Sequence, residues 1–182
     1  MPTYIALLRG INVGGNKRMK MEKLRDCCVS AGCKDVKTYI QSGNVVFRAA
    51  KTSLVALSKK LGECIQRDFG FSSEVIARTG EELKRIVDQN PPLKENGVDP
   101  AKLHVLFLSE KLSAPAEKKL EQLTLAPDRV RVSGTEIYFY FPNGVSGSSL
   151  WKHPLDRELG ISGTMRNWNT VIKLHEMAQE LE

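Results

Sequence analysis

Short apolar runs and helical periodicities alternate along the first half of the chain. Residues 3–8 are almost continuously apolar, which predicts a strand covered on both faces. Apolar residues recur at helical spacing over 21–31, and two strand-like runs within 36–48 flank Ser42-Gly43, as in a hairpin. A second helical stretch and a strand at 73–78 complete the order βαββαβ, which is typical of a ferredoxin-like unit.

The second half repeats this order in outline. Residues 103–108 predict a strand, Ser113-Ala114-Pro115 predicts a helix start, and 130–141 predict a hairpin around Ser133-Gly134-Thr135. The last helix is expected to begin near Met165, which leaves the final strand of this half weak or missing.

These patterns together predict an α+β fold of duplicated ferredoxin-like (βαββαβ) units that share a core. The sheets are expected to be antiparallel or mixed, with helices packed on them. We expect residues 1–90 to form the first half and residues 102–182 the second. Pro91 and Pro92 end a helix, so 91–101 is expected to connect the halves of one intertwined globular unit.

A glycine-rich basic stretch, Arg9 to Arg18, follows the first predicted strand. The formal net charge is +6, and residues 1–50 hold nine Lys or Arg against three Asp or Glu, while the remainder of the chain is balanced. A solvated basic face explains such an excess, and so does a site for phosphate, a nucleotide or nucleic acid. The stretch is neither a Walker loop nor G-x-G-x-x-G, so no nucleotide motif supports the second explanation.

Other compositional features narrow the class of protein. No apolar run is long enough for a membrane span, and the first residues do not resemble a signal peptide, so we expect a cytoplasmic protein without a membrane partner. Cys27, Cys28, Cys33 and Cys64 match no zinc-binding spacing. They are expected to be buried free thiols, and neither a metal nor a cofactor is predicted.

The predicted topology brings two of the polar segments together. In a βαββαβ unit, the end of the first strand and the turn between the second and third strands lie at the same edge. The segment Arg9 to Lys17 is therefore expected near Ser42 to Asn44. A third segment, around Arg166, is expected in the last helix, where Arg166, Asn169, Thr170 and Lys173 would form a polar stripe.

The candidate ligand-binding residues come from these three segments: Arg9, Asn12, Gly14, Gly15, Asn16, Lys17, Ser42, Gly43, Asn44, Arg166, Asn169 and Thr170. A structural role is an alternative for each kind of residue. Arg9 could pair with a carboxylate instead of a phosphate. Asn12 and Asn44 could satisfy the backbone of their own turns, and the glycines could serve loop geometry alone.

Three motifs also carry a family resemblance: Leu8-Arg9-Gly10-Ile11-Asn12-Val13-Gly14-Gly15, Thr38-Tyr39-Ile40-Gln41-Ser42-Gly43-Asn44-Val45 and Arg166-Asn167-Trp168-Asn169-Thr170. With these, the chain resembles the largely bacterial proteins grouped as domain of unknown function 1697. The resemblance covers essentially the whole chain and implies a duplicated, intertwined ferredoxin-like α+β fold. It implies no activity, cofactor or catalytic residue.

Three functions remain open from the sequence. The leading hypothesis is a binding protein for a phosphate-bearing ligand, either a nucleotide or nucleic acid. An enzyme acting on such a ligand is the second, although none of His104, His153 and His175 has a recognisable nucleophilic partner. The third is a protein-interaction or structural role in which the motifs hold the halves together, with an unknown protein partner.

Overall fold

The computed structural model describes residues 1–90 and 95–182. Its elements fall into two series with the same order of strands. The first series is β1 (Thr3–Leu8), α1 (Met21–Ser30), β2 (Lys34–Tyr39), β3 (Asn44–Arg48), α2 (Leu54–Phe69), β4 (Val75–Thr79) and α3 (Gly80–Asp88). The second is β5 (Leu103–Leu108), α4 (Ala114–Leu123), β6 (Arg129–Ser133), β7 (Glu136–Tyr140), α5 (Leu155–Leu159), β8 (Gly163–Asn167) and α6 (Trp168–Gln179).

The fold is mixed α+β, with two four-stranded antiparallel sheets and six α-helices in the described residues. The strand orders are β2-β3-β1-β4 and β6-β7-β5-β8. The backbone divides into one unit of Met1–Val87 with Lys173–Glu182 and another of Asp88–Ile172. We call these the first unit and the second unit.

The first unit has its core between one face of its sheet and the helices α1 and α2. All six residues of β1 are buried, as the continuous apolar run predicted. Leu24 of α1 and Leu61 of α2 pack in one cluster with Ala6, Val45 and Phe47 from the sheet. Removing these apolar side chains from water supplies the main stabilising free energy of the unit.

The second unit has its own core, which includes Leu108, Leu120, Phe139, Phe141 and Leu150. Two short 3₁₀ segments, Val145–Gly147 and Ser149–Lys152, precede α5. Pro154 separates the second of these segments from α5. None of the helices in residues 1–90 and 95–182 combines the length and apolar character that crossing a bilayer requires.

Local signals placed several boundaries correctly. Thr79, followed three residues later by Glu82, is the sequence pattern of a capping box, and the two residues form one at α3. The Glu82 amide donates to Thr79 Oγ1 at 3.1 Å and the Thr79 amide donates to Glu82 Oε2 at 2.8 Å. The hairpin β6–β7 turns through Gly134-Thr135, as the pattern indicated. Most of the predicted connection is described, but residues 91–94, including the predicted helix stop at Pro91-Pro92, lie outside the described residues.

The end of the second series differs from the expectation. The missing final strand is present as β8, which pairs antiparallel with β5, and α6 begins only at Trp168. Arg166 therefore lies on a strand opposite Val105 and is not part of a helical polar stripe with Asn169, Thr170 and Lys173. The sequence Gly-Thr-Met-Arg-Asn has no apolar alternation, so pairing with β5 determines this strand.

Candidate functional site

The connection from β1 to α1, residues 9–20, is called the basic loop here. Five of its residues have positive φ: Gly10 at 66°, Asn12 at 54°, Gly14 at 60°, Gly15 at 78° and Lys17 at 47°. The Asn12 amide donates to the Lys17 carbonyl at 3.1 Å, and the Asn16 amide donates to the Val13 carbonyl at 3.1 Å. The loop is therefore folded on itself, and its glycines permit a path that other residues rarely follow.

Asn12 is the internal tie of the basic loop. Its Nδ2 donates to the carbonyls of Met19 at 2.9 Å and Gln41 at 2.7 Å, and its Oδ1 accepts from the Met19 amide at 2.7 Å. The amide group thus joins the loop both to its own end and to the β2–β3 turn. Three hydrogen bonds to backbone correspond to the structural alternative for this residue.

The β2–β3 turn lies against the basic loop, as the topology predicted. The Leu8 amide donates to the Gly43 carbonyl at 2.8 Å. Gly43 has φ 80°, and a Cβ there would lie 2.7 Å from both Ile11 Cδ1 and Leu8 Cβ. Only glycine fits this position, because both its backbone conformation and its close packing exclude a side chain.

The polar side chains of Ser42 and Asn44 stabilise the same turn by hydrogen bonds. Asn44 is fully buried, and its Nδ2 donates to the Tyr39 carbonyl at 3.1 Å and to Ser42 Oγ at 2.9 Å. Ile40 has φ 50°, which is unusual for a β-branched side chain. Asn44 and Ser42 therefore hold a turn that contains a strained residue.

The two predicted cations of the loop have protein partners. Arg9 Nη1 lies 3.5 Å from Glu74 Oε2, and Lys17 Nζ donates to the Ser72 carbonyl at 2.7 Å. The Arg9 carbonyl also accepts from Ser73 Oγ at 2.9 Å. Arg9 and Lys17 thereby attach the loop to the segment that leads into β4.

A surface depression of about 530 Å³ borders the basic loop, and we call it the basic depression. Its described lining residues are Asn12, Gly15, Arg18, Met19, Lys20, Lys23 and Phe69. Arg18, Lys20 and Lys23 are exposed, whereas Met19 is buried and Phe69 is half-buried. Cations therefore surround an apolar surface on which part of a ligand could rest.

The cations of the basic depression make no direct ion pairs in the described part of the chain, although the first turn of α1 also holds Glu22. Within residues 1–90 and 95–182, no carboxylate forms an ion pair with Arg18, Lys20 or Lys23. Lys20 is also the N-cap of α1 and makes no side-chain capping bond. The first amides of α1 and the helix dipole consequently add to a field that favours an anion.

The third motif lies in the second unit. Arg166 is 9% exposed, and its Nη1 donates to Thr164 Oγ1 at 2.8 Å and to the Met165 carbonyl at 3.0 Å. Burial lowers the pKa of the Arg166 guanidinium to about 10. Asn169 is exposed on α6, and Thr170 is buried with its amide bonded to Asn167 Oδ1 at 2.9 Å.

Arg18, Lys20, Lys23 and Phe69 are residues of the depression that the sequence motifs did not identify. Arg18 ends the glycine-rich basic stretch but was not a candidate residue, and Lys20 lies two positions further on. The charge excess of residues 1–50 was the available signal. Phe47 and Tyr138 are buried in the sheets and offer no exposed ring on which a base could stack, whereas Tyr39 of β2 is half-buried.

Comparisons with known proteins agree with this architecture. The family model described as "Protein of unknown function (DUF1697)" matches residues 1–138. The search of curated proteins found no match. Among solved structures, the chain is similar to the conserved bacterial protein SP0830 from Streptococcus pneumoniae, with a TM-score of 0.77 and 26% identity over 97% of this chain and 98% of the other.

Proposed function

This chain belongs to the DUF1697 family, whose description assigns no activity, and we propose that it binds a phosphate-bearing ligand at the basic depression. The observation that carries the proposal is the grouping of Arg18, Lys20 and Lys23 around a depression of about 530 Å³ without a carboxylate among its described lining residues. Phosphate oxygens accept hydrogen bonds from guanidinium and ammonium groups. The N-terminal end of α1 also favours a negatively charged ligand.

The apolar lining indicates what else the ligand carries. Phe69 contributes an aromatic ring, and the buried Met19 a thioether, to the lining of the depression. A bare inorganic anion would leave this surface exposed to water, whereas a nucleotide base would cover it. We therefore favour a nucleotide or a short single-stranded segment over phosphate alone.

The described residues of the depression favour binding over catalysis. They include no His, Cys, Ser, Asp or Glu, which are the usual nucleophiles and general acids or bases. Arg9, Lys17 and the turn residues Ser42 to Asn44 support this site by positioning the loop. The participation of Arg166, Asn169 and Thr170 in ligand binding stays a prediction.

A structural role of the motifs is the second candidate function. It is favoured by the bonds of Asn12 and Asn44, whose side chains satisfy backbone groups and an adjacent hydroxyl. In that case the depression would bind no phosphate-bearing ligand. The motifs would serve only to hold the loop, the turn and β1 together for an interaction with another protein.

We further infer that both series derive from one ferredoxin-like plan that was duplicated. The support is the identical strand order of the two sheets and the equivalent pairing of Ile5 with Arg78 and of Val105 with Arg166. The division into residues 1–90, 91–101 and 102–182 is our proposal for the two copies and their connection. The four buried free thiols support a reducing compartment, and we propose the cytoplasm.

Thermal unfolding of the purified protein tests the binding proposal. The ligands are pyrophosphate, nucleoside mono- and triphosphates and short oligonucleotides, each at low and moderate salt. A ligand at about 100 times its Kd should stabilise by about 2.7 kcal/mol, a Tm increase of several degrees. A nucleotide effect that persists in salt identifies a small-molecule site, whereas an oligonucleotide effect that fades identifies a nucleic-acid surface.

A charge-matched pair of variants locates the effect. Replacement of Arg18, Lys20 and Lys23 by Ala should abolish the Tm increase. Replacement of the exposed Lys59, Lys111 and Lys118 by Ala removes the same formal charge elsewhere and should leave the increase intact. Phe69→Ala should weaken the binding of nucleotides more than the binding of pyrophosphate. Equal losses in both triple variants, or no Tm increase with any of these ligands, would overturn the proposal.

A further inference from the structure

Two cysteines from different helices of the first unit lie side by side. Cys27 is near the end of α1 and Cys64 is in α2, and they are 1% and 5% exposed. Their sulfur atoms and a carboxylate oxygen of Asp68 all lie within 4.8 Å of one another. The neighbouring Cys64 thiol donates to the Cys27 carbonyl at 3.1 Å.

Polar groups surround the sulfur of Cys64. Arg67 Nη2 donates to Cys64 Sγ at 3.0 Å and to Ser30 Oγ at 3.1 Å, and Ser30 Oγ lies 3.3 Å from the same sulfur. Arg67 has a side chain that is 63% exposed, so this cluster reaches the surface. A guanidinium beside a sulfur stabilises negative charge on it, and that charge makes the sulfur a nucleophile.

The two thiols have different surroundings. Burial and the adjacent Cys64 raise the pKa of the Cys27 thiol well above its ordinary value. Arg67 instead contacts Cys64 and donates to both carboxylate oxygens of Asp68, at 2.6 Å and 3.1 Å. Cys64 is thus placed to react first, with Cys27 held as a protonated second thiol.

The same arrangement disfavours a metal ion. Two thiols and a carboxylate are ligands that a soft divalent cation would accept. However, Arg67 already places a positive charge against Cys64 and Asp68 and would repel a cation. The guanidinium therefore favours thiol chemistry over metal binding.

We propose that Cys27 and Cys64 form a hydroperoxide-reactive thiol pair that closes to an intramolecular disulfide. The Cys64 sulfur attacks the outer oxygen of a hydroperoxide, R–O–O–H. The O–O bond breaks, Cys64 becomes a sulfenic acid, and the alcohol R–OH leaves with the thiol proton. The Cys27 thiol then attacks the sulfenic sulfur, which forms the S–S bond and releases water. The two thiols lose two electrons and the peroxide gains them.

Peroxide treatment of the reduced full-length protein, followed by alkylation and peptide mass spectrometry, tests this pair. We expect a Cys27–Cys64 cross-link that dithiothreitol reverses. Cys27→Ser should accumulate a sulfenic acid on Cys64 that dimedone traps. Cys64→Ser should give no sulfenic acid on Cys27. Arg67→Ala, a change at an exposed side chain, should slow the reaction at least about tenfold while the fold is retained.

The other two cysteines supply matched controls, because they are buried in the same unit. Cys28→Ser and Cys33→Ser should form the cross-link at the rate of the unmodified protein. A Cys28–Cys33 cross-link in place of the expected one, or first oxidation at Cys27, would overturn the proposal. So would isolation of the protein with a bound soft metal ion and thiols that are inert to peroxide.

Discussion

The two units of the molecule share a strand plan but differ at one corner. The Leu8 amide donates to the Gly43 carbonyl at 2.8 Å, and the Leu108 amide donates to the Thr135 carbonyl at 2.9 Å, in equivalent places. The connection that follows β1 runs from residue 9 to 20, whereas the one that follows β5 covers only 109–113. The longer connection carries Arg18 and Lys20, two of the three cations of the basic depression, and Lys23 follows in α1.

This difference shows that the sheet does not require the loop on which the candidate site lies. The sheets need only a short connection after their first strand, as the second unit shows. The first unit has a longer loop at that place, which the hydrogen bonds of Asn12 hold. Arg18 and Lys20, which line the basic depression, belong to this loop. Elaboration of one loop on a common scaffold is how many folds acquire a site.

Among these substitutions, Gly43→Ala should cause the largest loss of stability, in the β2–β3 turn of the first unit. The new Cβ would meet Leu8 and Ile11 at 2.7 Å in a backbone conformation with φ 80°. We expect a loss of about 3 kcal/mol in the free energy of unfolding, because overpacking and left-handed strain add together. Urea denaturation measures it.

Gly134→Ala is the matched change in the second hairpin. Gly134 has φ 61°, but the nearest atom to its Cβ is Glu136 Oε2 at 3.8 Å. Only the backbone strain remains, and the expected loss is about 1 kcal/mol. Equal losses for the two glycines would contradict the packing explanation.

Asn12→Ala should loosen the longer loop. The substitution removes three hydrogen bonds to backbone, two with Met19 and one with Gln41. The shorter connection of the second unit does not need such bonds. A destabilisation of about 2 kcal/mol is expected from the partly buried backbone groups left without partners. Hydrogen exchange should show faster exchange of the Met19 amide.

Two other variants calibrate the Asn12 result. Asn12→Asp keeps the acceptor for the Met19 amide but loses both donated bonds, so its effect should be intermediate. Asn16→Ala changes an exposed side chain and should alter stability by less than about 0.5 kcal/mol. If Asn16→Ala were as destabilising as Asn12→Ala, the role of Asn12 as the tie of the loop would be wrong.

His104 should give the smallest effect, a pH dependence specific to the second unit. Burial lowers the pKa of His104 below its ordinary 6.5, and among the described residues its Nδ1 has no hydrogen-bond partner. The equivalent residue of β1 is Tyr4, which has no imidazole group.

The sign follows from proton binding. Below pH 6.5 the unfolded chain protonates His104 more readily than the folded chain does, so stability present above pH 6.5 declines as the pH falls. The Tm of the unmodified protein should therefore fall more between pH 7.5 and 5.5 than the Tm of His104→Gln. Parallel pH profiles of the two proteins would refute this role.

Much of the local structure could be predicted because neighbouring residues determine it. The apolar run of β1, the spacing of α1 and the capping box at Thr79 each depend on residues a few positions apart. The nearness of the basic loop to the β2–β3 turn also followed from strand order. The strand β8 could not be predicted, since its pairing partner β5 lies about sixty residues away in the sequence.

By itself, the sequence determined the α+β class, the charge excess of residues 1–50 and the three segments where polar residues gather. Only the tertiary structure decided which of these side chains bond other parts of the protein and which line a surface where a ligand could bind. Glu74 pairs with Arg9, Ser72 accepts from Lys17 and Gln41 accepts from Asn12, while Arg18, Lys20 and Lys23 line the depression. The physical reason is that the folded chain brings distant residues together, and a side chain that bonds such a residue is less available to a ligand.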